Sequence, residues 1–214
     1  MKTRSCATVR GVTQLQARFR GNRSRCVHVQ RVRQGLPWSP FVPAKLEAVN
    51  AMLEVADLKH GETLVDIGSG DGRVVIEAAV QCPQLKKAVG IELDEALVGL
   101  SRRRIMEKQQ EECAATPEQD QEETKERRRL QDRVEIVHAD FTTADIRDAD
   151  VVVLFFLPHE EIANTLQRKL RPGTRVITYV FQIKQWKPEK VVSTVPFMTE
   201  RGSSSIFLYR VPHL

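Results

Sequence analysis

Residues 65–75 read VDIGSGDGRVV. Three glycines, at positions 68, 70 and 72, alternate with small or acidic residues between two apolar runs. The run before them, Thr63–Ile67, is strand-sized, and the run after, Arg73–Cys82, reads as a helix. In an open α/β sheet, ligands bind where a strand ends and a helix begins. Residues without Cβ allow a tight turn there and let a ligand lie against the backbone. Exposed N–H groups and the helix N-terminus favour a polar or anionic ligand group.

Working outward, Leu46, Val49, Met52, Leu53 and Ala56 recur at helical spacing in residues 44–58, behind a proline-rich stretch, LPWSPFVP. Downstream, Ala88–Leu93, Val134–His138, Val151–Phe156 and Thr174–Phe181 read as strands. Glu95–Met106 and Glu160–Leu170 read as helices, the second closed by Arg171-Pro172-Gly173. Val191–Val195 and Ile206–Val211, separated by TERGSSS, predict an antiparallel hairpin. Alternating strands and helices imply an α/β, doubly wound, seven-stranded and mostly parallel sheet covered on both faces, with a C-terminal antiparallel hairpin. The near-continuous apolar runs VVVLFF and RVITYVF suit strands buried on both sides.

Charge is unevenly spread along the 214 residues, of which 41% are hydrophobic. Residues 1–46 carry ten Lys or Arg and no acid. Residues 47–214 carry 23 basic against 28 acidic residues, a net of −5. A basic body gripping phosphates is therefore not supported, and nucleic acid is not an expected partner. Residues 1–34, arginine-rich with some Ser and Thr, read as a mitochondrial transit peptide or a disordered basic tail. The folded domain is expected over 35–214. Residues 107–133 stand apart, with nine acids and six bases, and read as an extended helix end plus a solvated inserted loop. Cys6, Cys26, Cys82 and Cys113 form no metal-ligand spacing or disulfide framework, so no metal is expected. No apolar run approaches the ~20 residues of a membrane span.

The spacing at the glycines separates the candidate ligands. A dinucleotide loop, GxGxxG, would need glycine at position 73, which is Arg73. A P-loop, GxxxxGK[ST], is absent. Asp66 and Asp71 flank the turn and make poor neighbours for pyrophosphate but good ones for a cation. S-adenosyl-L-methionine carries a sulfonium and an ammonium and no phosphate. The next strand ends in Glu92, placed to accept hydrogen bonds from ribose hydroxyls. The third ends in His138-Ala-Asp-Phe141, where Asp140 can take an adenine amino group with Phe141 against the ring. Three successive strand ends deliver acids to one cleft.

At this point the sequence resembles a known group. LVDIGSGDGRVVIEAA, VGIELDEALV, HADF, VVVLFFLP, PFVPAKLEAVNAML and LRPGTRVITYVFQIKQWKPE are similar to class I S-adenosylmethionine-dependent methyltransferases. The likeness is to the ATP synthase c-subunit and adenine nucleotide translocase lysine N-methyltransferases and their prokaryotic relatives, over about residues 37–190. The resemblance implies a strand order 3-2-1-4-5-7-6 with strand 7 antiparallel. By matching motif it implies that Asp66, Gly68, Ser69, Gly70, Asp71, Gly72, Glu92, Asp140 and Phe141 bind the cofactor. It implies a protein substrate with a target lysine, membrane proteins included, in the mitochondrion. The chain departs from the pattern at Tyr179-Val180, where a more polar pair is expected, and in the 107–133 insertion.

Methyl transfer needs nucleophile and methyl about 3 Å apart, aligned and dry. A lysine amine must also lose its proton, which burial promotes. No catalytic residue is assigned. Candidates for the substrate channel are Phe41, Phe156, Pro158, His159, Glu160 and Trp186. His159-Glu160-Glu161 also reads as an acidic first helical turn, and Trp186 as core. Competing functions are a small-molecule or RNA methyltransferase of the same fold, a dinucleotide oxidoreductase and a non-catalytic assembly module.

Overall fold

The computed structural model describes residues 41–115, 129–156, 158 and 160–213. The predicted segment 1–34, residues 36–40 of the proline-rich stretch, insertion residues 116–128, Leu157 and His159 lie outside the described residues. In chain order the elements are α1 (Leu46–Ala56), β1 (Thr63–Ile67), α2 (Arg73–Gln81), β2 (Lys87–Glu92), α3 (Glu95–Ala115) and α4 (Leu130–Arg133). They continue with β3 (Val134–His138), β4 (Val151–Leu154), α5 (Glu160–Lys169), β5 (Arg175–Tyr179), β6 (Lys190–Thr194) and β7 (Ser204–Arg210).

The seven strands form one sheet in the order β3-β2-β1-β4-β5-β7-β6. Strands β1 to β5 pair in parallel, and β7 runs antiparallel to both β5 and β6. This is the order that the resemblance implies and the hairpin that the sequence predicts. It is the class I methyltransferase architecture. Strand β7, though later in the chain than β6, wedges between β5 and β6.

Two apolar layers hold the sheet. Successive strand residues point to opposite faces, so each strand feeds both layers. Leu64, Val151 and Val153 join Met52 of α1 and Val75 and Ala78 of α2. Val65, Val152 and Leu154 join Ile162 and Leu166 of α5 on the other side. All four residues of β4 are fully buried, which is why its sequence shows no polar alternation.

Helix α3 runs past Met106 to Ala115, the extended helix end expected of the insertion, through residues that are good helix formers and carry a Lys108–Glu111 pair at 3.0 Å. Two local differences from the sequence reading have physical causes. The end of the charged insertion is not solvated: Leu130 and Arg133 of α4 are buried, and the Arg133 guanidinium donates to the Ala79 carbonyl. A buried charge with that bond avoids the full cost of desolvation. Strand β5 stops at Tyr179 because Val180 turns at φ 67°, an unusual angle for a β-branched residue. The Phe181 amide then donates back to Tyr179 O at 2.8 Å, a tight turn that carries the chain off the sheet.

Leu64, at the centre of β1, is fully buried, and Met106 is 54% exposed. Leu64→Ala should lower the unfolding free energy by about 2–5 kcal/mol in a denaturant titration. Met106→Ala should change it by less than about 0.5 kcal/mol.

Candidate active site

Strand order reverses beside β1, whose neighbours are β2 and β4. The chain therefore leaves a crevice above the C-terminal ends of these strands. The cleft there holds about 990 Å³ of empty space, its open mouth included. Its walls come from the 41–44 segment, the glycine loop, the ends of β2 and β3, and Phe155 and Phe156 after β4.

The glycine loop takes its shape from left-handed backbone: Gly68, Gly70 and Gly72 have φ of 74°, 56° and 76°. The amides of Gly68 and Ser69 both donate to Ile91 O, at 2.8 and 3.1 Å, which pins the loop to β2. Glu92 is 6% exposed, and its Oε2 accepts the Gly70 amide at 2.8 Å. Its Oε1 accepts the amides of Leu93 and Asp94 at 2.8 and 2.9 Å. At Gly70 a Cβ would overlap the Phe41 ring, so only glycine lets that wall close. Gly90 of β2 does the same for Ser69, whose Oγ would lie 2.6 Å from a Cβ there.

The two acids beside the turn sit in opposite electrostatic states. Asp66 is 4% exposed, and its carboxyl makes no hydrogen bond among the described residues. Burial, followed by the negative charges of Glu92 and Asp71, pushes its carboxyl up to about 8. Burial would raise Asp71 too, but it is outweighed. Arg73 bonds both carboxylate oxygens, at 2.9 and 2.6 Å, Arg104 pairs with Oδ2, and the group falls below its ordinary value. Asp71 thus lines the cleft with its carboxylate already engaged by two guanidiniums.

Asp140 also lines the cleft: its Oδ1 accepts the Thr142 amide at 2.8 Å. Phe141 is buried beside Phe156, the ring centroids 6.4 Å apart. Lys169 donates to the carbonyls of Phe141 and Ala144, at 3.2 and 2.6 Å, and so braces that loop from α5. Of the expected channel residues, Phe41 and Phe156 stand on the cleft. Pro158 is buried away from its lining, and Glu160 is exposed on the first turn of α5. Trp186 is a core residue, 6% exposed and edge-on to Tyr209 at 6.2 Å, because β7 brings that ring beneath it. Sequence reasoning missed Ser101, whose Oγ lies 2.7 Å from Gly70 O, and Arg104. Both sit on α3, far along the chain from the loop, and no motif marks them.

Comparison with known proteins identifies the family. A family model described as the ANTKMT methyltransferase domain matches residues 112–190. A protein-lysine N-methyltransferase of Saccharolobus islandicus is 33% identical over 159 residues, 73% of this chain and 86% of that protein. The chain belongs to the lysine N-methyltransferase family of class I methyltransferases. The adenine nucleotide translocase lysine N-methyltransferase of Mus musculus, another relative, is 32% identical over 80% of this chain, which spans 63% of its length. A solved RNA methyltransferase from Salinibacter ruber, in complex with S-adenosyl-L-homocysteine, superposes with a TM-score of 0.62 at 31% identity. That match covers 81% of this chain and 95% of the Salinibacter chain. The protein is a methyltransferase that uses S-adenosyl-L-methionine.

The cleft of this methyltransferase fits that cofactor. It is lined by the acids Asp66, Asp71, Glu92, Asp94 and Asp140 against one base, Arg73, which is itself paired. The Ser69 hydroxyl is buried without a partner among the described residues and Asp66 borders the cleft, so polar capacity remains for a cationic ligand with hydroxyls.

Asp66 carries a pH signature. In the unfolded chain it loses its proton near 3.8, and in the folded protein near 8. Between those values the folded state binds the extra proton, so stability falls as pH rises. Asp66→Asn removes the titration. In melting curves of the ligand-free protein from pH 5 to 8, the variant should gain steadily on the wild type as pH rises; parallel curves would reject the assignment.

Proposed function

We propose that this protein is a protein-lysine N-methyltransferase acting on a mitochondrial protein. The observation that carries the reading is the pair of lysine N-methyltransferases matching 73% and 80% of the chain, one of them named for a translocase. The arginine-rich, acid-free residues 1–34 support import, with residues 35–214 as the methyltransferase domain.

In this reading the bound cofactor supplies an electrophilic methyl carbon on a sulfonium. The protein's part is to bind and align. Glu92, already braced by three amides, keeps acceptor capacity for ribose hydroxyls. Asp140 Oδ2, which makes no hydrogen bond among the described residues, would take an adenine amine, with Phe141 as the ring's neighbour. Gly68 and Ser69 bring backbone close, Gly70 and Gly72 give the turn its shape, and Asp66 faces the cationic end. Asp71 acts by shaping the loop. Phe155 and Phe156 form an uncharged wall at the end of β4. An amine pressed against them loses water and so is held in its neutral, nucleophilic form. Its proton leaves to solvent, and no base is assigned.

A second reading, RNA methylation, is favoured by the name of the Salinibacter relative. The net charge of −5 over residues 47–214 opposes it, since a phosphate backbone is bound by Lys and Arg.

Glu92→Ala removes a charged acceptor and should weaken S-adenosylhomocysteine binding about 10- to 100-fold by calorimetry. Incubation of the protein and tritiated cofactor with mitochondrial protein and, separately, with total RNA decides the acceptor. Label on a protein lysine is expected. Label confined to RNA would transfer the assignment to the second reading.

A further inference from the structure

The contacts of Arg73 reach beyond the glycine loop. Its Nε and Nη2 hold the two oxygens of Asp71, while Nη1 donates to the carbonyl of Ala44. From the other side, Arg104 of α3 donates to the Asp71 carboxylate and, at 3.3 Å, to its carbonyl. Asp71 is thus a hub that joins the glycine loop, α3 and the segment preceding α1. That segment, 41–44, is a wall of the cofactor cleft. It has no regular secondary structure, and Phe41 and Val42 are 44% and 41% exposed. Among the described residues no hydrogen bond holds Phe41, Val42 or Pro43, and the nearest tie is the one from Arg73 to Ala44. Beyond it, Lys45 reaches Thr199 O at 3.3 Å on the exposed side. The Phe41 ring nonetheless lies directly against Gly70.

We propose that Arg73 is a positioning residue for methyl transfer: it fastens segment 41–44 to the glycine loop so that Phe41 closes one wall of the cofactor cleft. The planar guanidinium suits the task, because one edge grips a carboxylate while the remaining nitrogen reaches a carbonyl. A lysine ammonium, a single point charge, does not provide that fork. Arg73 touches neither substrate nor reacting atoms in this role; it acts through Phe41. The inference rests on the cofactor occupying this cleft.

Four proteins test it: wild type, Arg73→Ala, Phe41→Ala and the double variant. S-adenosylhomocysteine binding is measured by calorimetry, and KM for the methyl donor separately from kcat. Each single variant should raise Kd and donor KM about tenfold, the scale of one charged hydrogen bond lost. At saturating donor, kcat should stay within about threefold of wild type. Because both changes open the same wall, the double variant should bind no more than about threefold worse than either single one. Phe41→Tyr, which keeps the ring, should bind as wild type does. Effects that multiply in the double variant, or an Arg73→Ala protein with unchanged Kd, would overturn the proposal. If Arg73→Ala does not fold, Phe41→Ala decides alone, and an unchanged Kd there refutes it. Wild-type protein that binds no S-adenosylhomocysteine overturns the cofactor reading and this proposal together. Normal wild-type binding that is lost in Glu92→Ala, with Arg73→Ala unaffected, overturns this proposal only.

Discussion

Glu92 reaches from the end of β2 to take the amide of Gly70, and its second oxygen takes the amides of Leu93 and Asp94. A glycine-rich turn has little conformational preference of its own, and fixing it costs more entropy than fixing any other backbone. Here the cost is met by bonds that are local and buried. Ile91 O binds two amides of the turn, and the carboxylate next to it in sequence binds a third. Both anchors lie on β2, whose position is set by parallel pairing with β1. The loop is thereby indexed to the sheet rather than to its own side chains. Everything else in the cleft is measured from it.

Charge in the cleft is distributed by partner rather than by count. Asp66 and Asp71 are five residues apart and both nearly buried. Two guanidiniums keep Asp71 ionised, and it becomes a structural hub. With no cation beside it, Asp66 retains its proton to about pH 8. Desolvation raises the pKa of a lone carboxylate, and the negative charges of Glu92 and Asp71 push it the same way. An acidic cleft of this kind leaves its uncompensated group facing the place where a cationic ligand fits, and uses its compensated one to hold walls together.

The sheet was legible because its rules are local. Hydrophobic runs of strand length, separated by helices, give the parallel core, and the glycine spacing narrows the ligand. Glu92, Asp140 and Phe141 could be assigned to the cleft they line because strand ends in this topology converge on one crevice. Ser101 and Arg104 were not, since a helical residue reveals its neighbour across the cleft only once the helix is docked. Trp186 and Glu160 fell to the plainer readings that the sequence also allowed: core packing for the indole and a charged first turn for the carboxylate. The insertion misled in one respect. Fifteen charges in 27 residues suggested a helix end followed by a solvated loop, yet Leu130 and Arg133 turn inward beneath α2 and α3. Composition over a window cannot single out two residues that belong to the core.

The placement of β7 bears on how the chain acquires its shape. Because this strand lies between β5 and β6 and follows both in the chain, the sheet cannot be finished in order of synthesis. Until residues 204–210 arrive, β5 presents an open hydrogen-bonding edge and β6 has no strand to lie against. Unpaired edges of that sort invite association with other chains. A polypeptide emerging from a ribosome therefore remains an adhesive intermediate until β7 is free, and closure of the sheet waits on that strand.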